Sequence, residues 1–310
     1  MDPLSQAIGL LRPKALLWKI VQGSGDWALR FPEEKDVVFG QVIAGTCRLE
    51  LKGLEPRQLC IGDFLLLTAP ATWVLRNGNE AVPLDFESVY EGPAQPLTLV
   101  GNPDGVNVTR FMAGHFTFDA ANAELLLGLM PSLIHVRPSD KAAGRLCGLL
   151  ELIGDEATSD RPGQSLVLER LLDVMLIESL RHQPGYVGTT RRGLLTGLAD
   201  PKVAVALRDL HRDISHGWTV AELAKRAGMS RSVFAERFAE TVGMAPIDYL
   251  LSWRMALAKD ALRSTNRPLS EIAATIGYQS ASAFSTAFSR VVGCPPARYG
   301  ARRGELSSSI

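Results

Sequence analysis

Two stretches about fifty residues apart repeat one pattern, and that repeat constrains the fold more than any other feature of the 310-residue chain. In the first, Thr219 stands at an N-cap position with Glu222 three residues on, the spacing of a capping box. Ala221, Leu223, Ala224 and Ala227 supply small or apolar contacts, Gly228 accepts the positive φ of a tight turn, and Ser230 caps a second helix to about Val242. Phe234 and Phe238 lie one turn apart and must point inward, which leaves Arg231, Ser232, Ala235, Glu236 and Ala239 outside. In the second stretch Ser270 caps 271–276, Gly277 turns the chain, and Ser280 caps 281–292, where Phe284 and Phe288 again stand four apart.

Helix, glycine turn and helix is the arrangement in which the second helix lies in the major groove of DNA. Between the copies runs one long helix, 247–264, opened by Pro246 and stopped before Asn266-Arg267-Pro268. Two recognition helices, about 230–242 and 280–292, carried on one rigid helix can enter successive major grooves on one face of B-DNA, about 34 Å apart. Asp200 and Pro201 open the helix before the first unit, with Val203, Leu207, Leu210 and Ile214 inward and an end near His216-Gly217. Charge agrees with this reading. Residues 1–199 carry 18 Lys+Arg against 23 Asp+Glu, and residues 200–310 carry 15 against 10, so the basic half is the one that meets a polyanion.

The first half has a different grammar. Val37 to Val42, Thr46 to Leu51, Phe64 to Leu67, Trp73 to Leu75 and Leu84 to Val89 read as short strands, separated by turns such as Gly62-Asp63 and Asn77-Gly78-Asn79. Their spacing predicts an all-β barrel or sandwich. After Gly114, Leu125, Leu129 and Leu133 fall on one helical face, followed by the apolar stretch 146–153. In 164–181, Leu168, Leu171, Leu172, Met175 and Leu176 form a broad apolar stripe, which Val167, Val174 and Ile177 widen. That stripe packs on the barrel, and its second face is either further core or a dimer seam. The Gly- and Thr-rich run 183–197 reads as a linker. The domain expectation is therefore 1–185 for effector binding and dimerisation, 186–199 as linker, and 200–310 for DNA binding.

The four cysteines, Cys47, Cys60, Cys147 and Cys294, form no C-x-x-C pair and no cluster at zinc spacing, so reduced thiols are expected, with Cys47 and Cys60 buried. No apolar run approaches the roughly 18 residues that span a bilayer, and no signal peptide is readable, which leads to an expectation of a cytoplasmic protein.

The stretches LAKRAGMSRSVFAERFAETVGMAPIDYL, WRMALAKDALRSTNRPLSEIAATIGY and GYQSASAFSTAFSRVVGCPPARY resemble the AraC/XylS regulators over roughly 203–300. CIGDFLLL at 60–67, GHFTFD at 114–119, LIHVR at 133–137 and RPGQSLVLERLLDVMLIESLR at 161–181 are similar to the cupin-like domain of one AraC subgroup. The resemblance implies an α+β multidomain chain: a cupin-like β-barrel with appended helices, then an all-α double helix-turn-helix domain. It also implies a homodimeric, effector-responsive activator that meets promoter DNA and RNA polymerase, with a small organic effector in the barrel mouth.

On the same resemblance, Ser232, Ala235 and Glu236 of the first recognition helix and Ser282, Ser285 and Thr286 of the second face base edges. Glu236 stands where relatives often have Arg; a carboxylate there would accept from cytosine N4. The small neutral residues of the second helix imply positioning more than base reading. Arg231, Arg237, Arg254, Arg267 and Arg290 are the phosphate candidates by charge. Gly300 follows Arg298-Tyr299 where relatives usually carry Arg.

Metal-dependent cupins use His and Glu ligands, but Trp73 occupies the expected His position and Phe39-Gly40 the preceding strand, so no metal and no cofactor are expected. His115 and His135 are expected as core or turn histidines bonded to backbone. The alternative reading, a cupin-type metal enzyme with a helical interaction tail, needs a metal triad or another catalytic set, and the sequence offers none.

Overall fold

The computed structural model describes residues 2–33, 37–68, 70–78, 80–89, 97–118, 122–140, 143–157, 159–181 and 192–301. They fall into two compact units, each assembled from separate parts of the chain: Pro13–Phe118 with Pro131–Arg191, and Met1–Arg12 with Asp119–Met130 and Arg192–Ile310. The helices are α1 (Pro3–Leu11), α2 (Phe86–Val89), α3 (Ala123–Gly128), α4 (Ala143–Ala157), α5 (Gln164–Arg181), α6 (Leu194–Ala199), α7 (Pro201–Arg212), α8 (Val220–Arg226), α9 (Arg231–Val242), α10 (Pro246–Ser264), α11 (Leu269–Thr275), α12 (Ala281–Val292) and α13 (Pro296–Ala301).

The β-rich unit holds β1 (Lys14–Ser24), β2 (Trp27–Phe31), β3 (Val37–Ala44), β4 (Thr46–Leu51), β5 (Arg57–Cys60), β6 (Phe64–Thr68), β7 (Trp73–Asn77), β8 (Leu84–Asp85), β9 (Leu97–Gly101), β10 (Val108–Thr117) and β11 (Leu133–Val136). One sheet runs β11-β6-β3-β10-β1-β9 and the other β5-β4-β7-β2-β8. Both sheets send side chains into one core that contains Trp27, Leu29, Phe31, Val42, Leu49, Leu59, Leu65, Leu67, Trp73, Leu75 and Phe111. This follows from period-two alternation: Leu59 faces in and is fully buried, while Gln58 and Cys60 face out. Cys60 is therefore exposed, against the expectation of a buried thiol, whereas Cys47 is buried.

Two sequence expectations change here. Only Leu84 and Asp85 pair as a strand, because Phe86 turns into α2 and stacks its ring on Phe31 at 4.9 Å, and Ser88 Oγ donates to the Asp85 carbonyl at 2.6 Å. Leu125, Leu129 and Leu133 do not share one helix. Pro131, which lacks an N–H, follows the end of α3, and Leu133–Val136 pairs antiparallel with Phe64–Leu67 as β11. On α5, Leu172, Met175 and Leu176 are buried as the stripe predicts, whereas Val167 and Val174 are exposed.

In the helical unit, α7 starts as the sequence predicts. Asp200 accepts from the amides of Lys202 at 2.9 Å and Val203 at 3.1 Å, and Val203, Leu207 and Leu210 are fully buried. The helix stops at Arg212, short of His216-Gly217, because Asp213 Oδ1 accepts from the amides of Ser215 and His216, both at 3.1 Å. Of the expected linker, residues 183–191 lie outside the described residues, and Leu194–Ala199 is a helix that buries Leu194 and Leu195. Gly197 lets this helix pack closely, since a Cβ would stand 2.8 Å from both the Leu207 and Val242 side chains and displace them. The segment α1 is tied into the same unit. Gln6 Oε1 lies 2.8 Å from His211 Nδ1, and Arg12 pairs with Asp260 at 2.7 Å.

Candidate nucleic-acid interface

The two repeated units fold alike. Gly228 and Gly277 adopt φ of +65° and +83° at the two helix-to-helix turns, as tight turns require of a residue without Cβ. Phe234 and Phe238 of α9, and Phe284 and Phe288 of α12, are fully buried, with ring centroids 5.7 and 5.5 Å apart within each pair. From α10, Tyr249 packs against Phe238, and Tyr299 of α13 packs against Phe288. With these rings inward, Ser232 and Glu236 on α9 and Ser282 and Thr286 on α12 are exposed, and Ala235 and Ser285 are half-buried beside them.

Two hydroxyls of the second helix are already engaged as donors. Ser285 Oγ donates to the Ala281 carbonyl at 2.7 Å and Thr286 Oγ1 to the Ser282 carbonyl at 3.1 Å. Their lone pairs stay outward, so each offers an acceptor to a base amino group and no two-pronged donor for guanine. Ser280 caps α12 by accepting from the Ala283 amide at 3.1 Å. Ser230 makes no such side-chain bond, so the first-turn amides of α9 keep their donors for a phosphate.

The five arginines singled out by charge separate into two groups. Arg231 and Arg290 are exposed and form no ion pair among the described residues, and Arg267 makes only an exposed i,i+4 pair with Glu271 at 3.3 Å. Arg237 and Arg254 are held by the protein itself. Arg237 Nε donates to Asp200 Oδ2 at 2.7 Å. Burial pushes the Asp200 carboxyl up, but the Val203 amide, Arg237 and the Lys202 amide outweigh it and hold the group below the usual carboxylate range. Arg254 Nε donates to the Ile214 carbonyl at 2.8 Å, and its Nη2 to the carbonyls of Ser215 at 3.3 Å and His216 at 2.8 Å. Burial lowers its pKa, and its guanidinium lies 6.0 Å from the Tyr278 ring centroid. Arg254 thus braces the loop after α7 against the Gly277 turn.

A buried polar cluster under α9 carried no readable sequence signal. His211 is buried between Gln6, Tyr249 and Trp253, with Nε2 2.6 Å from the Tyr249 hydroxyl. Gln6 Oε1 can only accept, so Nδ1 donates to it, and in the neutral ring that burial favours Nε2 accepts from the tyrosine hydroxyl. Burial pulls the His211 pKa down to about 4. Asp209 is likewise buried and pairs with Arg212 at 3.1 Å and Arg226 at 3.4 Å, the latter guanidinium lying over the Trp218 ring.

In the β-rich unit, Trp73 is buried and stacks on Phe31 with centroids 3.9 Å apart, so an aromatic pair fills the place of the expected ligand. Among the described residues no group of three or more His, Cys, Asp and Glu is arranged to hold a metal ion. Burial and the neighbouring Asp63 charge push the Cys47 thiol up to about 12. His135, expected to bond backbone, instead places Nε2 3.2 Å from Asp63 Oδ1, close enough for an ion pair but poorly directed for a hydrogen bond. Burial outweighs the Asp63 charge and lowers the His135 pKa.

Residues 2–183 match the cupin family, and residues 223–302 match a helix-turn-helix domain family. A putative AraC-like transcription regulator of Streptomyces lividans is 40% identical over 300 residues, covering 96% of this chain and 98% of that protein. Its counterpart in Streptomyces antibioticus is 39% identical over the same coverage. The HTH-type transcriptional regulator AlkR of Acinetobacter baylyi is 26% identical over 96% of this chain and 99% of its own length. Among the described residues no helix is long and apolar enough to cross a membrane.

Proposed function

Because this chain belongs to the AraC family of DNA-binding transcription regulators, with a cupin domain ahead of its helix-turn-helix module, we propose that α9 and α12 enter successive major grooves of promoter DNA. One observation carries the reading: two equivalent helices bury paired phenylalanines and leave Ser232, Glu236, Ser282 and Thr286 exposed. In this docking Ser232, Ala235 and Glu236 face bases through α9, while Ser282, Ser285 and Thr286 position α12 and accept from base amino groups. Arg231, Arg267 and Arg290, with the first-turn amides of α9, take phosphates. Arg237 and Arg254 serve instead to hold the module's own geometry, since their guanidinium groups are engaged within it.

The β-rich unit then acts as the receiver of a small-molecule effector, the protein works as a homodimer, and the output is activation through RNA polymerase. Val167 and Val174, exposed on α5, suit a dimer seam. The relatives are transcription regulators, which favours this class over a cupin-type metal enzyme. The test is genome-wide occupancy of the tagged chain followed by footprinting of a recovered site. Protection of two major-groove segments about one helical turn apart on one face of the duplex is the expected result. Protection of a single groove would remove α12 from the interface.

A further inference from the structure

The core of the β-rich unit is lined mainly by apolar and aromatic side chains, with the indole N–H groups of Trp27 and Trp73 among its buried polar atoms. Arg57 on β5 stands directly opposite Leu49 of β4, which in turn stands opposite Leu75 of β7. Residues directly paired across strands share a face. Leu49, Leu75 and Leu59 are all in the buried core, so Arg57 leaves its strand on the inward face, where it is half-buried. Its Nε is inaccessible to solvent and has no acceptor. On the facing sheet His135 pairs with Leu65 of the same core, which turns the imidazole inward as well. Arg137 stands two residues on, just past the end of β11, and burial together with the Arg137 charge lowers the Arg57 pKa.

The nearby carboxylate is Asp63, and it is committed. Asp63 Oδ1 stands beside His135 Nε2 at 3.2 Å and Oδ2 accepts from the Cys60 amide at 2.7 Å. Other arginines of the same sheet have carboxylate neighbours: Arg48 and Arg76 both approach Glu50, and Arg30 pairs with Asp85. Among the described residues Arg57 and Arg137 have none. An inward guanidinium with a sequestered donor, set beside a second cation, is an arrangement that stabilises an anion and little else. The planar fork of arginine matches a carboxylate or phosphate edge.

We propose that Arg57, supported by Arg137, forms a binding site for a small oxyanion, so that the effector of this regulator carries a carboxylate or a phosphate group. The identification as effector rests on the reading of the β-rich unit as the receiver domain; the anion site itself does not.

The full-length chain is melted, and titrated by calorimetry, with sodium acetate, sodium benzoate and sodium phosphate, each against sodium chloride at equal ionic strength. A saturable upward shift of the melting temperature with at least one of the three is expected. Acetate or benzoate acting alone assigns a carboxylate, and phosphate acting alone assigns a phosphate. In Arg57→Met the affinity should fall at least about tenfold, and in Arg137→Gln severalfold. In chloride Arg57→Met should melt no lower than the parent, because no native ion pair is broken. The proposal is overturned if none of the three anions gives a saturable shift, if Arg57→Met responds as the parent does, or if that variant melts well below the parent in chloride, which would mark Arg57 as structural. Anion binding that leaves affinity for a recovered promoter site unchanged would keep the site and remove its role as effector receiver.

Discussion

Arg237 Nε donates to Asp200 Oδ2 at 2.7 Å, joining residues 37 apart in sequence and fastening the outer face of α9 to the cap of α7. The arginine side chain is 47% exposed and the aspartate 11%, so the pair is a surface tether with one sheltered partner. Arg237→Ala should cost the module no more than about 1 kcal/mol in urea denaturation. The Asp200 carboxyl sits below its ordinary value in the fold, so its contribution is present above the unfolded pKa and is lost as pH falls through the folded one. The gap between parent and variant should therefore shrink below about pH 4. Because Arg237 is not assigned to phosphate, the salt dependence of DNA binding should stay the same; a shallower slope would return it to the interface.

Gly277 and Gly293 have nearly equal φ, +83° and +81°, but different surroundings. A Cβ on Gly277 would stand 2.2 Å from the Ser215 carbonyl oxygen and 2.7 Å from Arg254 Nη2, whereas nothing lies within 4 Å of one on Gly293. Gly293→Ala should cost about 1–2 kcal/mol from backbone strain alone. Gly277→Ala should cost clearly more, about 3 kcal/mol or above, since it also displaces the carbonyls that Arg254 braces. Equal losses in denaturant titrations would mean that the Arg254 brace yields freely.

His211 makes stability depend on pH. Its folded pKa, pulled down by burial to about 4, lies below the ordinary value of 6.5, so the unfolded chain takes up a proton first as pH falls. The helical unit should lose stability between about pH 6.5 and 4, by at most about 3 kcal/mol, and the loss is absent above that window. Substitution His211→Gln should flatten the dependence measured by denaturation at pH 7.5 and 5. An unchanged slope would place the titration elsewhere.

Glu236 and Arg290 separate reading from holding. If Glu236 accepts from a cytosine amino group, Glu236→Ala should weaken a recovered promoter site by about 1–3 kcal/mol, relax preference at one base pair and leave random DNA as tightly bound or tighter. Arg290→Ala should weaken all sequences alike and reduce the salt slope by about one unit. Competition binding on randomised sites distinguishes the two. Equal weakening of promoter and random DNA by Glu236→Ala would make Glu236 a structural residue.

The legible parts of this chain are those whose causes lie within a few residues of one another. Asp200 bonding the amides two and three residues on, glycines at +65° and +83°, and phenylalanines one turn apart are local events, and each was readable as a helix cap, turn or buried face. The strand at 133–136 is hidden in the sequence because Leu125, Leu129 and Leu133 keep helical spacing. The partner that makes 133–136 a strand is β6, some seventy residues earlier. Charge was readable too, but not its destination. Arg231 and Arg254 look alike in sequence, yet Arg254 is spent on carbonyls about 40 residues away and Arg231 is not. The inclusion of α1 in the helical unit, through a Gln6–His211 contact across 205 residues, and the unpaired inward arginine at position 57 were likewise decided only by tertiary placement. The physical reason is that residue type dictates a donor, a charge or an apolar surface, whereas its acceptor and its exposure are set by whatever the folded chain brings alongside it.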